Sequence, residues 1–274
     1  MLLEISIGIN PIIFQYKSLI ISWHGFFTMV GVLVSVLLVA RWAKKENISS
    51  EIVYSVAIWG VLGGIIGARL VHVIDRWDYY SQNFGQIFTL WEGGIAIYGG
   101  ILGGLLVGSV YAVLCKYPVR KLMDLTAPAV PISMAIGRIG DIINGEHFSK
   151  PTEMIWGFVY THSSVQSLYN KFNPEGYSSF VPSHPAVAYE LIYDLFIAAI
   201  AWKLKDIIRP QGMTLILFIA LYSFGRFFIS FVRYDKEWLL GLNQAQLIAI
   251  ILLVIIVPFL VFKVKFITKA KRIS

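Results

Sequence analysis

Seven apolar stretches run through this chain at 19–40, 53–74, 93–114, 122–143, 186–202, 213–232 and 245–262. Each is close to the roughly 20 residues that a helix needs to cross the hydrocarbon layer of a bilayer. That layer offers no water to unpaired backbone amides, so segments of this kind must become helices. Of the 274 residues, 57% are hydrophobic, only 14% are charged, and mean hydropathy is +0.70. A soluble domain is about a quarter charged. The pattern therefore predicts a polytopic, all-α membrane protein with about seven transmembrane helices, one embedded domain over 1–274.

Charge divides the connections into two sets. The segments "RWAKKEN", "CKYPVRK", "WKLKDIIRP" and "KVKFITKAKRIS" hold 14 of the 23 Lys and Arg residues; the N-terminus, 75–92, 144–185 and 233–244 hold six. Under the positive-inside rule this predicts an N-terminus outside and a cytoplasmic C-terminus, as an odd number of spans requires. The net charge of +7 then reads as a topology signal with attraction to anionic lipid, not as a nucleic-acid footprint. The first apolar run is too long for an ordinary signal-peptide core and no A-x-A site follows it, which predicts a retained signal anchor. Cys115 is the single cysteine, so an internal disulfide and a thiolate metal site are excluded. Segment 144–185, rich in Ser, Asn, Pro, Gly and Tyr, predicts a small ordered cap on the outer face. Trp156, Tyr160, Tyr169 and Tyr177 are expected there at headgroup level, with His147 and His162 exposed.

Three arginines remain inside apolar spans: Arg69, Arg138 and Arg226. Each costs about 2.5–3.5 kcal/mol at a helix centre, so each must snorkel, pair or line a polar cavity. All three stand towards the outer ends of their spans, which favours a shared cavity over snorkelling. Guanidiniums there suit phosphate, whose oxygens their planar forks match. Glu190 and Asp194, one turn apart, are expected to supply polar company, and Asp124 to pair or to cap a helix. Glycines at Gly63-x-x-x-Gly67, Gly99-x-x-x-Gly103 and Gly100-x-x-x-Gly104 predict close helix packing. The run "WEGGIAIYGG" suggests a re-entrant or broken segment, and Pro128 with Pro131 a kinked or interrupted span.

The stretch "GRIGDIINGEH", preceded by "DLTAPAVP", resembles the signature region of prolipoprotein diacylglyceryl transferases. The likeness continues through "INPIIF", "SWHGFF", "GGIIGARLVHVI", "WEGGIAIYGGILGG", "SHPAVAYELIYD" and "GRFFISFVR". The resemblance implies a seven-span enzyme of the bacterial inner membrane, without cofactor or metal. It implies transfer of a diacylglyceryl group from phosphatidylglycerol to the lipobox cysteine of a prolipoprotein signal peptide, with release of glycerol phosphate. Arg138, Asn144, Gly145 and Glu146 fall on signature positions; Arg226 and Arg233 match arginines of the sixth span and its outer end, and Arg69 that of the second. The chain departs from the pattern at Tyr98, where many members have histidine, at Asp141 for asparagine, Ser149 for glycine, His24 for tyrosine and Ser230 for a glutamate.

The implied reaction needs a nucleophilic thiol and stabilisation of a departing phosphate oxygen. Arg138 and Arg226 are expected to supply the second, with Arg69 or Arg233 recruiting the lipid. Tyr98, His24, His72 and Glu146 are candidates for the proton, unless the positive field alone lowers the thiol pKa. Asn144 is expected to orient an arginine or a lipid oxygen. Asp141 and Glu146 serve either as structural partners of Arg138 or in proton transfer; Asp141, Gly145 and His24 are placed with the substrate-binding set. Two rival classes share these features: an anion transporter or channel built on broken helices, and a non-catalytic lipid-binding scaffold. The clustering of polar residues at one end, without a matching series towards the other, favours the enzyme.

Overall fold

The computed structural model describes residues 4–17, 19–89, 94, 96–145, 147–172 and 178–266, with backbone alone at 19, 97, 98 and 170–172. Helices dominate: α1 (Trp23–Lys45), α2 (Ser50–Asp75), α3 (Trp77–Tyr80), α4 (Ile97–Leu114), α5 (Val119–Asn144), α6 (Ser163–Phe172), α7 (Ala186–Leu204), α8 (Met213–Ile229) and α9 (Gln244–Lys263). Helices α1, α2, α4, α5, α7, α8 and α9 overlap the seven apolar stretches, the first of which opens with a short strand at Leu19–Ser22. Among the described residues, the helix of α1, that of α2, Met213–Val232 and that of α9 are long and apolar enough to cross a membrane; 99–114 is a shorter apolar helix. Their outward faces carry large apolar side chains such as Leu37, Ile66, Val254 and Phe262. A surface of this kind is stable against lipid and not against water.

The chain divides into two compact units, one formed by 1–15, 20–35 and 123–274, the other by 16–19 and 36–122. The second is built on the contact of α2 with α4. Glycines of the two helices face each other so closely that side chains are excluded. A Cβ at Gly103 would overlap the Gly63 carbonyl and lie 2.9 Å from the Gly67 Cα, and one at Gly67 would overlap the Gly99 carbonyl. In lipid, where apolar side chains gain nothing by leaving their solvent, such backbone-to-backbone packing replaces the hydrophobic drive. The amide of Ala96 donates to the Ala68 carbonyl at 3.0 Å, fixing the entry to α4. The sequence proposal of a broken segment at 91–93 and 95 lies outside the described residues.

In the first unit α5, α7 and α8 share an apolar layer in which Ala127, Ile197, Ala201 and Phe218 are buried against Val130, Met134 and Tyr193. Gly225 admits the Tyr193 ring against the α8 backbone, and the Tyr193 hydroxyl donates to the Leu221 carbonyl at 2.8 Å. That close approach draws α7 onto α8. Asp124 caps α8, its carboxylate accepting from the amides of Gly212 at 2.9 Å and Thr214 at 3.0 Å, as foreseen. The alternative of an interrupted fourth span is corrected: α5 runs through both Pro128 and Pro131 without a break. Helix α9 packs on α8 and opens with a capping box between Asn243 and Gln246.

The cap is ordered. Strand Ile5–Ile7 pairs in parallel with Phe158–Tyr160, and Ile7, Phe158, Tyr160, Val165 and Tyr169 form a small core with Ile142, Phe148 and Ala188 against it. Tyr160 and Tyr169, expected in the cap, are both buried in that core. Burial pushes both hydroxyls above their usual range. Trp156 is exposed as expected, its indole donating to the Tyr189 hydroxyl at 3.0 Å; Tyr177 lies outside the described residues.

The glycine seam yields a test. Gly103→Val should destabilise the protein by about 1–3 kcal/mol or more through overpacking, whereas Gly85→Ala, with open space around it, should be neutral. Unfolding in detergent followed by circular dichroism separates the two.

Candidate functional site

The polar residues of the first unit gather beyond the apolar layer of α5, α7 and α8. On α5, Arg138, Asp141 and Asn144 recur at three-residue spacing and so share a face. Arg138 spans two carboxylates: one guanidinium nitrogen donates to Asp141 Oδ2 at 2.8 Å and the other meets Glu190 Oε2 at 2.6 Å. From α8, Arg226 donates to Glu190 Oε1. Arg233 reaches the same oxygen at 3.5 Å and binds Asp235 through Nε at 3.1 Å; Asp235 also lies 3.8 Å from Arg226. Glu190, only 3% exposed, is thus the common partner of three arginines.

Local structure explains how Arg233 joins. The chain leaves α8 through a short 3-10 turn, Ser230–Val232, with the Ser230 hydroxyl donating to the Arg226 carbonyl at 2.8 Å. It then runs beside 148–150, where Lys150 donates to the Val232 carbonyl at 2.9 Å and Tyr234 to that of Phe148 at 3.1 Å. This pairing sets Arg233 Nη2 3.3 Å from His147 Nδ1, while His147 Nε2 stands 3.5 Å from Asp141 Oδ2. The expectation that His147 is an exposed cap residue is corrected: it is half-buried between a guanidinium and a carboxylate. Sequence reasoning missed it because its partners come from segments far apart in the chain. His162 instead caps α6, accepting from the Ser164 amide at 3.3 Å.

Gly145 ends α5 with φ +64°. That left-handed conformation suits glycine, and a Cβ would also press within 2.7–2.8 Å of Val165 and the Tyr160 ring. The signature glycine thus turns the chain from helix into cap. On the opposite side of α5, Gly140 admits α1: a Cβ there would lie 2.7 Å from both the His24 Cα and the Trp23 carbonyl oxygen. His24 Nδ1 consequently hydrogen-bonds Asp141 Oδ1.

Several polar atoms of the cluster are buried without a hydrogen-bond partner among the described residues: Arg138 Nε, Arg233 Nη1, Asn144 Oδ1 and Asp194 Oδ2. Donors and acceptors in this state are costly and mark a place where a polar ligand gains binding energy. Glu146 and the Tyr98 side chain lie outside the described residues. Arg69 belongs to the other unit, and its guanidinium donates to the carbonyls of Ile87 at 2.8 Å, Gly94 at 2.7 Å and Gln86, over the Tyr80 ring at 5.2 Å. It ties the 76–96 connection to α2. Near it, His72 packs edge-on to the same ring.

The family model described as prolipoprotein diacylglyceryl transferase matches residues 11–262. Proteins named phosphatidylglycerol--prolipoprotein diacylglyceryl transferase are similar over nearly the whole length. That of Dehalococcoides mccartyi is 31% identical over 260 residues, 94% of this chain and 95% of the relative. Those of Acaryochloris marina and Clostridioides difficile are 33% and 32% identical, covering 88% of this chain in each case and 86% and 90% of the relatives.

Because Glu190, among the described residues, is the carboxylate shared by all three arginines, Glu190→Gln should cost about 3–5 kcal/mol, the usual penalty for leaving buried charge unpaired. Asp235, about a third exposed at 32%, should cost no more than about 1 kcal/mol as Asp235→Asn. Thermal unfolding of the two variants in one detergent measures the difference.

Proposed function

The chain belongs to the prolipoprotein diacylglyceryl transferase family, and we propose on that premise how it works. It transfers a diacylglyceryl group from phosphatidylglycerol to the lipobox cysteine thiol of a prolipoprotein signal peptide. A thioether forms and glycerol phosphate leaves. The observation that carries the reading is the convergence of Arg138, Arg226 and Arg233 on Glu190, at the end of α5 that carries the family's signature stretch.

In the transfer, sulfur attacks the glycerol carbon that bears the phosphodiester, and the carbon–oxygen bond breaks with its electron pair passing to the phosphate. The phosphate gains a charge as it departs. Arg138 and Arg226 stabilise that gain, and Arg233 helps to seat the lipid. Their carboxylate partners hold the forks in place beforehand, so little reorganisation is needed at the moment of reaction. Arg138 Nε is the donor left over for a phosphate oxygen, and Asn144 orients either the lipid or Arg138. Arg69, on α2, holds the connection that follows that helix.

The enzyme is a multi-pass membrane protein of a bacterial type. We assign seven crossings to α1, α2, α4, α5, α7, α8 and α9, in a single domain of the inner membrane, with the N-terminus outside and the C-terminus cytoplasmic, on the distribution of Lys and Arg.

Purified protein in phosphatidylglycerol nanodiscs with a lipobox peptide should form the thioether, detected by mass spectrometry. Arg138→Ala should lower the rate by at least about 10²-fold, the scale of losing a transition-state donor. A folded Arg138→Ala protein working at the parent rate would refute the assignment.

A further inference from the structure

We propose that His147 is the positioning residue of Arg233: its imidazole fixes the direction from which that guanidinium meets the lipid. The proposal rests on the transferase reading above, in which Arg233 helps to seat phosphatidylglycerol, and adds to it a residue to which that reading gives no task.

The contact is built into the backbone. Segments 148–150 and 232–234 run antiparallel, with Ser149 bridged to Arg233, Lys150 donating to the Val232 carbonyl and Tyr234 to that of Phe148. His147 stands at the end of this ladder, just past the left-handed Gly145 that closes α5. Its ring therefore reaches Arg233 from the opposite segment, and its Nδ1 comes within 3.3 Å of Arg233 Nη2.

Three neighbours hold the fork. Arg233 Nε donates to Asp235 Oδ2 at 3.1 Å, Nη1 stands 3.5 Å from Glu190 Oε1, and Nη2 faces His147. Asp235 lies on the same segment as Arg233 and is about a third exposed, so it moves with the arginine and does not aim it. Glu190 is divided among three guanidiniums. His147 is held on a different segment and gives its acceptor to Arg233. A guanidinium only donates, so Nδ1 carries the lone pair and Nε2 the hydrogen. That Nε2 is buried without a hydrogen-bond partner among the described residues; Asp141 Oδ2, 3.5 Å away, is already taken by Arg138 at 2.8 Å. A donor left in this state is costly. An apolar side chain would avoid the cost, and what it would forfeit is the acceptor for Arg233.

The consequence is specific. Without that acceptor, Arg233 keeps Asp235 and its share of Glu190, but its fork turns about its own stem and the lipid seat loosens. The departing phosphate oxygen still meets Arg138 and Arg226. The loss therefore falls on lipid binding, which raises KM and leaves kcat in place.

The test uses the full-length protein in phosphatidylcholine nanodiscs containing graded fractions of phosphatidylglycerol, with a saturating lipobox peptide. His147→Leu should raise KM for phosphatidylglycerol by about tenfold, the scale of one hydrogen bond to a charged group, and change kcat by less than about threefold. His147→Asn, whose carbonyl oxygen can take the place of Nδ1, should stay within about threefold of the parent in both. If the leucine variant does not fold, His147→Gln, whose amide reaches the Nε2 position instead, takes its place in the comparison. In an Arg233→Lys background, which has no fork to aim, adding His147→Leu should move KM by less than about twofold, because the two residues act as one unit. An unchanged KM in His147→Leu, a fall confined to kcat, equal losses in the leucine and asparagine variants, or a full tenfold loss in the Arg233→Lys background would each overturn the assignment. If the parent protein makes no thioether at any phosphatidylglycerol fraction, the transferase reading itself fails, a distinct result.

Discussion

One carboxylate shared among three guanidiniums organises the polar end of this molecule. Glu190 receives Arg138, Arg226 and Arg233 from three different stretches of chain. In a low-dielectric interior each of these ions would be prohibitive alone, and together they satisfy one another. The arrangement also fixes register, because sliding α5, α7 or α8 along its axis would strand a charge. The apolar layer of Ala127, Ile197, Ala201 and Phe218 sets the spacing of the helices; the ion cluster sets their offset.

The unit made by α2 and α4 solves the same problem without ions. Along its seam glycines let backbone approach backbone, with Val71 and Val107 packed on the glycines of the facing helix. Its one deeply buried arginine, Arg69, is neutralised in effect by carbonyl dipoles of the connection it crosses. Backbone carbonyls are fixed acceptors, and a guanidinium satisfied by them gives up its reach in exchange for holding a loop. Two arginines that look alike in sequence, each near the end of an apolar span, thus do different things according to what the chain lays beside them.

What could be read in advance follows from periodicity and from cost. The long apolar helices were legible because lipid dictates the length and composition of a span. The glycine seam was legible from small residues at four-residue spacing, and the pairing of Glu190 with arginine from the expense of burying either alone. Asp124 was expected either to pair or to cap a helix, and it caps α8. The hidden parts depend on contacts that no local pattern encodes. His147 meets Arg233 because 148–150 runs beside 232–234. His24 meets Asp141 because a glycine one residue earlier lets α1 come close, and the two positions, both departures from the family's pattern, become informative only once they touch. Tyr160 and Tyr169 were expected in the cap, and the cap uses them as core.

The bond between Arg138 and Asp141, three residues apart on one helix, bears on how the protein is made. Synthesis runs from the N-terminus, so α5 is complete before Glu190 has left the ribosome. Carrying its own counter-ion, the helix presents a locally neutral dipole instead of a bare cation, and exchanges part of that private pairing for the communal one when α7 and α8 arrive. Assembly can thereby proceed in the order of translation without ever leaving the guanidinium alone.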